Sequence, residues 1–247
     1  MTMTMIDGIE YLAFDGKPMA ETGVHVRAMA WLYLMLRVFF RHRPDVYVGA
    51  NMFMYYEEGN PKRVVAPDVF VVFGAANARV EHRSWFVWKE GKAPDVIFEL
   101  TSQGTKDEDV DFKQRLYEQL GVTEYFLFDP LDEYLRPNLQ GFQLAQEKYQ
   151  PIPAKRGELN SQILGLVLRP AGRELRLFDR ASGTRLLPPA ELAEANLELN
   201  TLLDDAEKRA SAAQAAAEQE AQACQAAETE LARAREELAR LRGEKPE

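Results

Sequence analysis

Two apolar runs constrain this chain more than any other part of it: Ala66-Pro67-Asp68-Val69-Phe70-Val71-Val72-Phe73 and Ala93-Pro94-Asp95-Val96-Ile97-Phe98-Glu99-Leu100-Thr101-Ser102. Each is rich in β-branched and aromatic residues and reads as a strand buried on both faces. Each also carries carboxylates in or beside a stretch that should be dry. A buried carboxylate is costly unless a metal ion, a lysine or a hydrogen-bond network pairs with it, so the chemistry is to be sought here.

At 247 residues and 46% hydrophobic, the chain has material for one large core with an appendage. No apolar stretch approaches the roughly 20 residues that span a bilayer, and Met1 to Glu10 has neither a basic start nor an apolar signal core. The expectation is a cytoplasmic protein without a membrane partner. A lone Cys224 excludes an intrachain disulfide and a multi-cysteine zinc site, in keeping with a reducing compartment.

The net charge of −9 argues against a nucleic-acid partner only until it is divided. Pro188 to Glu247 holds seven Lys+Arg against 14 Asp+Glu, leaving the body 23 against 25 and only −2. A near-neutral body has room for a local basic surface, for which Arg37, Arg41, Arg43, Lys62, Arg63, Arg79, Arg83, Lys89 and Lys92 are candidates. Scattered, solvated charges are the competing reading.

The expected boundary divides 1–187 from 188–247. Past Pro188-Pro189 the chain loses glycine and proline until Gly243 and keeps a heptad of Leu203, Ala210, Ala217, Cys224, Leu231 and Leu238. Ala206, Ala213, Glu220, Ala227, Ala234 and Leu241 form a companion row. The register supports a long helix, pairing most strongly at Leu231, Leu238 and Leu241 and assembling the chain as a homo-oligomer, a dimer in the simplest case. A single exposed helix is the alternative.

In the body, His25, Met29, Leu32 and Leu36 form one stripe of a helix expected from about Thr22 to Arg41. A strand is expected around Asp45 to Tyr56, a polar loop over Gly74 to Lys92, and a turn at Gln103-Gly104-Thr105. A helix from about Lys106 to Leu120 follows and ends at Gly121. Glu124 to Phe128 reads as a further strand and Tyr134 to Arg185 as antiparallel hairpins. The sum is a mixed α/β domain.

On a strand, Asp95, Ile97, Glu99 and Thr101 share one face. Val110, Lys113, Tyr117 and Leu120 share one stripe of the following helix, which folds back onto the sheet. Two carboxylates, Asp68 and Glu99, and the Lys113 ammonium are what phosphodiester hydrolysis uses: oxygen donors for a divalent cation, and a positive charge to orient water and offset phosphate. Plainer readings stand beside these. Lys113 reaches solvent along its stem, Asp68 and Asp95 are strand-entry residues after prolines, and His25 is a hydrogen-bonded core histidine. Glu99, in the middle of an apolar strand, is the hardest to explain away.

The same residues carry a family likeness. The sequence resembles the Uma-two family of restriction-endonuclease-like proteins, a branch of the PD-(D/E)XK nuclease superfamily, over essentially everything before the tail. The likeness rests on Asp15-Gly16-Lys17-Pro18-Met19, His25, Tyr55-Tyr56-Glu57-Glu58-Gly59-Asn60-Pro61 and the first apolar run. It continues through Ala93-Pro94-Asp95, Glu99 with Thr101-Ser102, Lys113 with Tyr117, Gly121-Val122, Glu124-Tyr125 and Asp129-Pro130. Leu164-Gly165-Leu166, Leu168, Leu175-Arg176 and Gly183 complete it.

The resemblance implies a restriction-endonuclease-like mixed sheet with flanking helices and β-hairpins, plus a long C-terminal helix. It makes Asp68 the motif aspartate and Glu99 its D/E position, with the backbone carbonyl of Leu100 as a further metal ligand. The slot of the motif lysine holds Thr101, and Lys113 occupies the family's alternative place on the next helix. The implied activity is Mg²⁺-dependent cleavage of DNA, with Mn²⁺ as a substitute, through Asp68, Glu99 and Lys113; His25, Asp95 and Thr101 are accessory candidates. The competing classes are a catalytically weak or inactive nuclease-derived protein that holds nucleic acid or a partner as a scaffold while its helical tail assembles copies of the chain, and a small-molecule hydrolase using the same metal.

Overall fold

In a computed structural model of the protein, the two apolar runs lie side by side at the centre of a six-stranded sheet. The structure describes residues 3–12, 22–102 and 108–241. The Asp15 to Met19 motif, the Gln103-Gly104-Thr105 turn and the expected helix start at Lys106 lie outside them, as does the side chain of Val110. The chain divides into two units, Met1–Pro189 and Ala190–Glu247.

The first unit opens with β1 Met3–Ile6, β2 Ile9–Leu12, α1 Gly23–Phe39, β3 Val46–Ala50, β4 Met54–Tyr55, β5 Val64–Val65 and β6 Val69–Phe73. Next come β7 Trp85–Phe86, α2 Val87–Glu90, β8 Val96–Leu100, a π-helical segment Glu108–Lys113 that runs into α3 Gln114–Gln119, and β9 Glu124–Phe128. β10 Leu139–Ala145, β11 Lys148–Pro151, β12 Leu159–Ser161, β13 Leu166–Ala171 and β14 Glu174–Asp179 follow, and α4 spans Pro189–Leu241.

The central sheet runs β11-β10-β9-β8-β6-β3. Its pairs are antiparallel except β8 and β9, which are parallel and joined through the π-helical segment and α3. Parallel neighbours need such a crossover, and this one brings the helix back over the strand that holds Glu99. Strand alternation then sorts the core. Val69, Val71, Val96, Phe98 and Leu100 pack on the side of α1, with Leu32, Met35 and Leu36, and on the β12-β13-β14 sheet. Phe70, Val72, Ile97, Tyr125 and Leu127 pack on the other side against Leu116, Tyr117, Val122 and Trp85. With both faces covered, the strands read as continuous apolar runs.

The structure differs from the sequence reading at four places. The strand expected over Asp45 to Tyr56 is two, β3 and β4, broken at Asn51, whose φ of 45° is left-handed and whose N–H donates to the carbonyls of Pro67 and Asp68 at 3.0 and 3.1 Å. The polar loop over Gly74 to Lys92 contains β7 and α2, because Trp85 is fully buried beside Met54. A hairpin of β1 and β2 turns at Asp7-Gly8, both with positive φ. The described helix after β8 begins with π-helical turns rather than α-helix.

In the second unit α4 continues from Pro189 as one helix of 53 residues, Pro189 included, without a buried residue. Leu231, Leu238 and Leu241 are 52%, 51% and 81% exposed. No helix among the described residues is long and apolar enough to cross a membrane.

Candidate active site

Asp68 and Glu99 meet where the ladder between β6 and β8 runs out. The last paired residues are Val69 and Phe98. One step beyond, each carboxylate accepts a backbone N–H from the other strand: Leu100 N donates to Asp68 Oδ2 at 2.7 Å, and Asp68 N donates to Glu99 Oε2 at 3.3 Å. Buried backbone donors must be satisfied, and here side chains satisfy them. The exchange fixes both carboxylates against the Leu100 backbone. Glu99 is 1% exposed at its side chain and Asp68 17%, so the second forms the more open edge.

Lys113 ends the π-helical segment and enters the same site from the crossover. Its Nζ lies 3.0 Å from Glu99 Oε2, and the side chain is 9% exposed. It does not snorkel to solvent. Tyr117, four residues on and so on the same helix face, donates its hydroxyl to Glu99 Oε1 at 2.7 Å. Tyr117 is itself held edge-on against Tyr125, with ring centroids 5.2 Å apart. Taking an ion pair out of water costs several kcal/mol per ion, recovered only when the geometry is good and the remaining donors and acceptors are met. Glu99 meets that condition through Lys113, Tyr117 and the Asp68 amide.

α1 adds His25 from the opposite side of the sheet. Thr22 caps the helix by accepting the His25 backbone N–H at 3.3 Å, and the buried His25 ring places Nε2 3.4 Å from Asp68 Oδ1. Thr101 lies beyond Leu100; its N–H donates to Phe128 O at 2.8 Å, while its buried Oγ1 has no hydrogen-bond partner among the described residues. Asp95 is not brought to this cluster. It stands four residues before Glu99, about 13 Å along a strand, and its carboxylate takes Lys92 Nζ at 2.8 Å and Phe73 N at 2.7 Å. At that place it organises the entry to β8.

Asp68 and Glu99 offer oxygen donors alone, which suits a hard divalent cation; the Leu100 group that meets Asp68 is its N–H. Among the described residues no group of three or more His, Cys, Asp and Glu gathers as a metal cage. Magnesium is commonly held by one or two carboxylates, with water and substrate phosphate filling the other positions, and the donor set fits that pattern.

The inward stripe expected for the helix includes Tyr117 but assigns it no part in the site; the signal for that part is its four-residue step from Lys113. Two other buried carboxylates serve loops. Glu124 accepts from Ser161 Oγ, Gln162 N and Ile163 N, and burial pushes its carboxyl above the usual range, opposed by those hydrogen bonds. Asp129 accepts the backbone N–H groups of Leu131, Asp132, Tyr134 and Leu135.

Residues 6–207 match the model of the Uma2 family, whose description is "Putative restriction endonuclease". No curated protein matches the sequence. Among solved structures, the chain is similar to a crystal structure of a "putative nuclease belonging to DUF820" from Anabaena variabilis ATCC 29413, at 15% identity and a TM-score of 0.43, over 64% of this chain and 80% of that one.

Proposed function

The chain belongs to the Uma2 family, and on that premise we propose that it is a nuclease hydrolysing DNA phosphodiester bonds with a divalent cation, Mg²⁺ or in its place Mn²⁺. The observation that carries this reading is the convergence of Asp68 at the entry to β6, Glu99 of β8 and Lys113 of the π-helical segment into one hydrogen-bonded cluster. A core needs no such arrangement for stability, since well-packed apolar residues commonly serve as well as a buried ion pair.

Asp68 and Glu99 are the residues that hold the cation, together with the Leu100 carbonyl. When bound, it supplies Lewis-acid polarisation of the phosphoryl oxygen and a more acidic bound water. Lys113 orients the attacking water and offsets charge that builds on the phosphate. Tyr117 fixes the plane of the Glu99 carboxylate through Oε1, and His25 steadies Asp68 through Oδ1. Enclosure by β6, β8 and α3 keeps the Glu99 side dry, which strengthens each of these interactions.

One feature favours a second reading, a nucleic-acid-binding protein with weak or no catalysis. Glu99 already has three donors on its two oxygens, which engage most of the roughly four lone-pair positions of a carboxylate that a metal would otherwise use. Cleavage of plasmid DNA with titrated Mg²⁺ and Mn²⁺, beside Glu99→Gln, separates the two: binding without metal-dependent cleavage selects the second.

For the tail we propose self-association through α4, with the exposed Leu231, Leu238 and Leu241 as the apolar seam and Arg233, Arg235, Glu236, Glu237 and Arg240 as flanking charges. Two copies supply the two catalytic sites that cutting both strands of a duplex requires.

A further inference from the structure

Of the nine basic residues in the sequence's candidate surface, four line one pocket of about 280 Å³: Arg37, Arg41, Arg43 and Arg79. It lies at the C-terminal end of α1, while the catalytic cluster meets the N-terminal end at His25. We propose that this pocket is a phosphate-binding site, separate from the catalytic cluster, that takes a backbone phosphate of nucleic acid. The nuclease reading enters only in the choice of nucleic acid as the source of the phosphate.

The charge is the first support. Among the described residues Glu81 is the single acidic one in the lining, and it meets Arg37 as a 3.4 Å pair between two exposed side chains. Asp45 engages Arg43. Arg41 and Arg79 have no ion-pair partner among the described residues. Even with both acids deducted, the pocket keeps an excess of positive charge, and the planar guanidinium fork matches phosphate oxygens better than an ammonium does.

Preorganisation is the second. Arg37 donates to Tyr33 Oη at 2.7 Å with its guanidinium 5.5 Å from that ring's centre. Arg43 is gripped by both Asp45 oxygens, at 3.0 and 2.9 Å, and lies 5.8 Å from the centre of Phe73. Arg41 donates to the Val38 carbonyl at 3.0 Å. Three guanidinium groups are thus held before any ligand arrives, which lowers the ordering cost of binding. Helix capping accounts for the bond from Arg41 to Val38; it does not account for Arg79, which comes from a separate turn closed by the Val80 N–H on Asn77 O at 2.9 Å.

Size and distance are the third. About 280 Å³ sits just under the ~300 Å³ at which small-molecule pockets begin, enough for a phosphate with its sugar. From His25 to Arg37 along α1 is about 18 Å at the helical rise. At about 3.4 Å per step of one strand, a duplex reaching both places extends on the order of five base pairs from the scissile bond.

The test is duplex binding, without divalent metal, by the full-length protein and by Arg41→Gln/Arg79→Gln, whose side chains are exposed and outside the catalytic cluster. Circular dichroism verifies that the fold is kept. The expected result is affinity weaker by roughly tenfold regardless of base sequence, with the slope of log K against log salt reduced by about 0.9 for each phosphate no longer neutralised. The pair Arg41→Lys/Arg79→Lys should restore part of both. Calorimetry with inorganic phosphate separates the sources: phosphate binding abolished in the Gln variant while duplex affinity and salt slope stay unchanged means that the pocket takes a free anion, overturning the assignment. Unchanged duplex binding and unchanged phosphate binding overturn it as well. Absence of cleavage by the wild type would sink the nuclease reading and leave this binding result intact, so the two failures are distinct.

Discussion

The Lys113 ammonium lies 3.0 Å from Glu99 Oε2, with the two side chains 9% and 1% exposed, so this ion pair is almost closed to water. Its energetics lead directly to a test. Glu99→Gln leaves a buried ammonium without its counter-charge, and Lys113→Met leaves a buried carboxylate. Each should cost about 3–5 kcal/mol, a fall in Tm on the order of 10 °C for a chain of this size. The double variant removes both charges and should recover much of that loss. Urea or thermal unfolding of the four proteins measures it; strictly additive losses would mean that the two groups are not coupled.

Tyr117→Phe removes one hydroxyl and keeps the ring against Tyr125. A hydrogen bond to a charged group contributes about 1.5–3 kcal/mol, so a loss of that order in stability is expected. If the hydroxyl also orients Glu99, the Mg²⁺ concentration for half-maximal cleavage should rise, and kcat should fall more than KM rises. A stability loss with the metal midpoint unmoved would make Tyr117 a packing residue only.

Glu124 sets a pH dependence of known sign. Burial raises its folded pKa above the ordinary value of 4.5, so over the window between the two values the folded state binds more protons than the unfolded one. Stability from this group is therefore greatest below about 4.5 and declines as pH rises through the folded value. Glu124→Gln keeps the hydrogen-bonding shape and removes the titration. Unfolding free energies of wild type and variant, subtracted across pH 4 to 8, should show the wild type losing ground with rising pH; a flat or opposite difference would contradict the burial-dominated reading.

The candidate site was legible in the sequence wherever a residue broke a strong pattern. Glu99 stood out in an apolar strand, Lys113 and Tyr117 shared a helical stripe, and Asp68 opened the neighbouring strand. What periodicity left unread were short elements. β7 has two residues, Trp85 and Phe86, too few for alternation to register, so its burial depends on tertiary packing alone. Asn51 broke a run that composition made continuous, because the break rests on a left-handed backbone that asparagine tolerates. The β1–β2 hairpin carries a signal in Asp7-Gly8, a favoured two-residue turn, but its strands of four residues each are too short for alternation to stand out. Asp95 shows the limit of strand parity: it shares a face with Glu99, yet four residues of extended chain separate their functional groups.

Truncation near Pro188 separates the tail from the body. Among the described residues, the buried core clusters of the first unit and their packed neighbours end at Leu186, so the shortened chain should remain folded. Sedimentation should show the full chain self-associating and the truncated one less so. Identical monomeric behaviour of the two would leave α4 as a single exposed helix.

The most direct test of the catalytic assignment is cleavage of supercoiled, linear and single-stranded DNA by purified protein with titrated Mg²⁺ or Mn²⁺, the wild type beside Glu99→Gln and Lys113→Met. The expected result is cleavage by the wild type that requires the metal and falls by orders of magnitude in both variants, each assayed at a temperature where it remains folded. Cleavage that persists in either variant, or that needs no divalent cation, would contradict the assignment of Asp68, Glu99 and Lys113 as the catalytic centre.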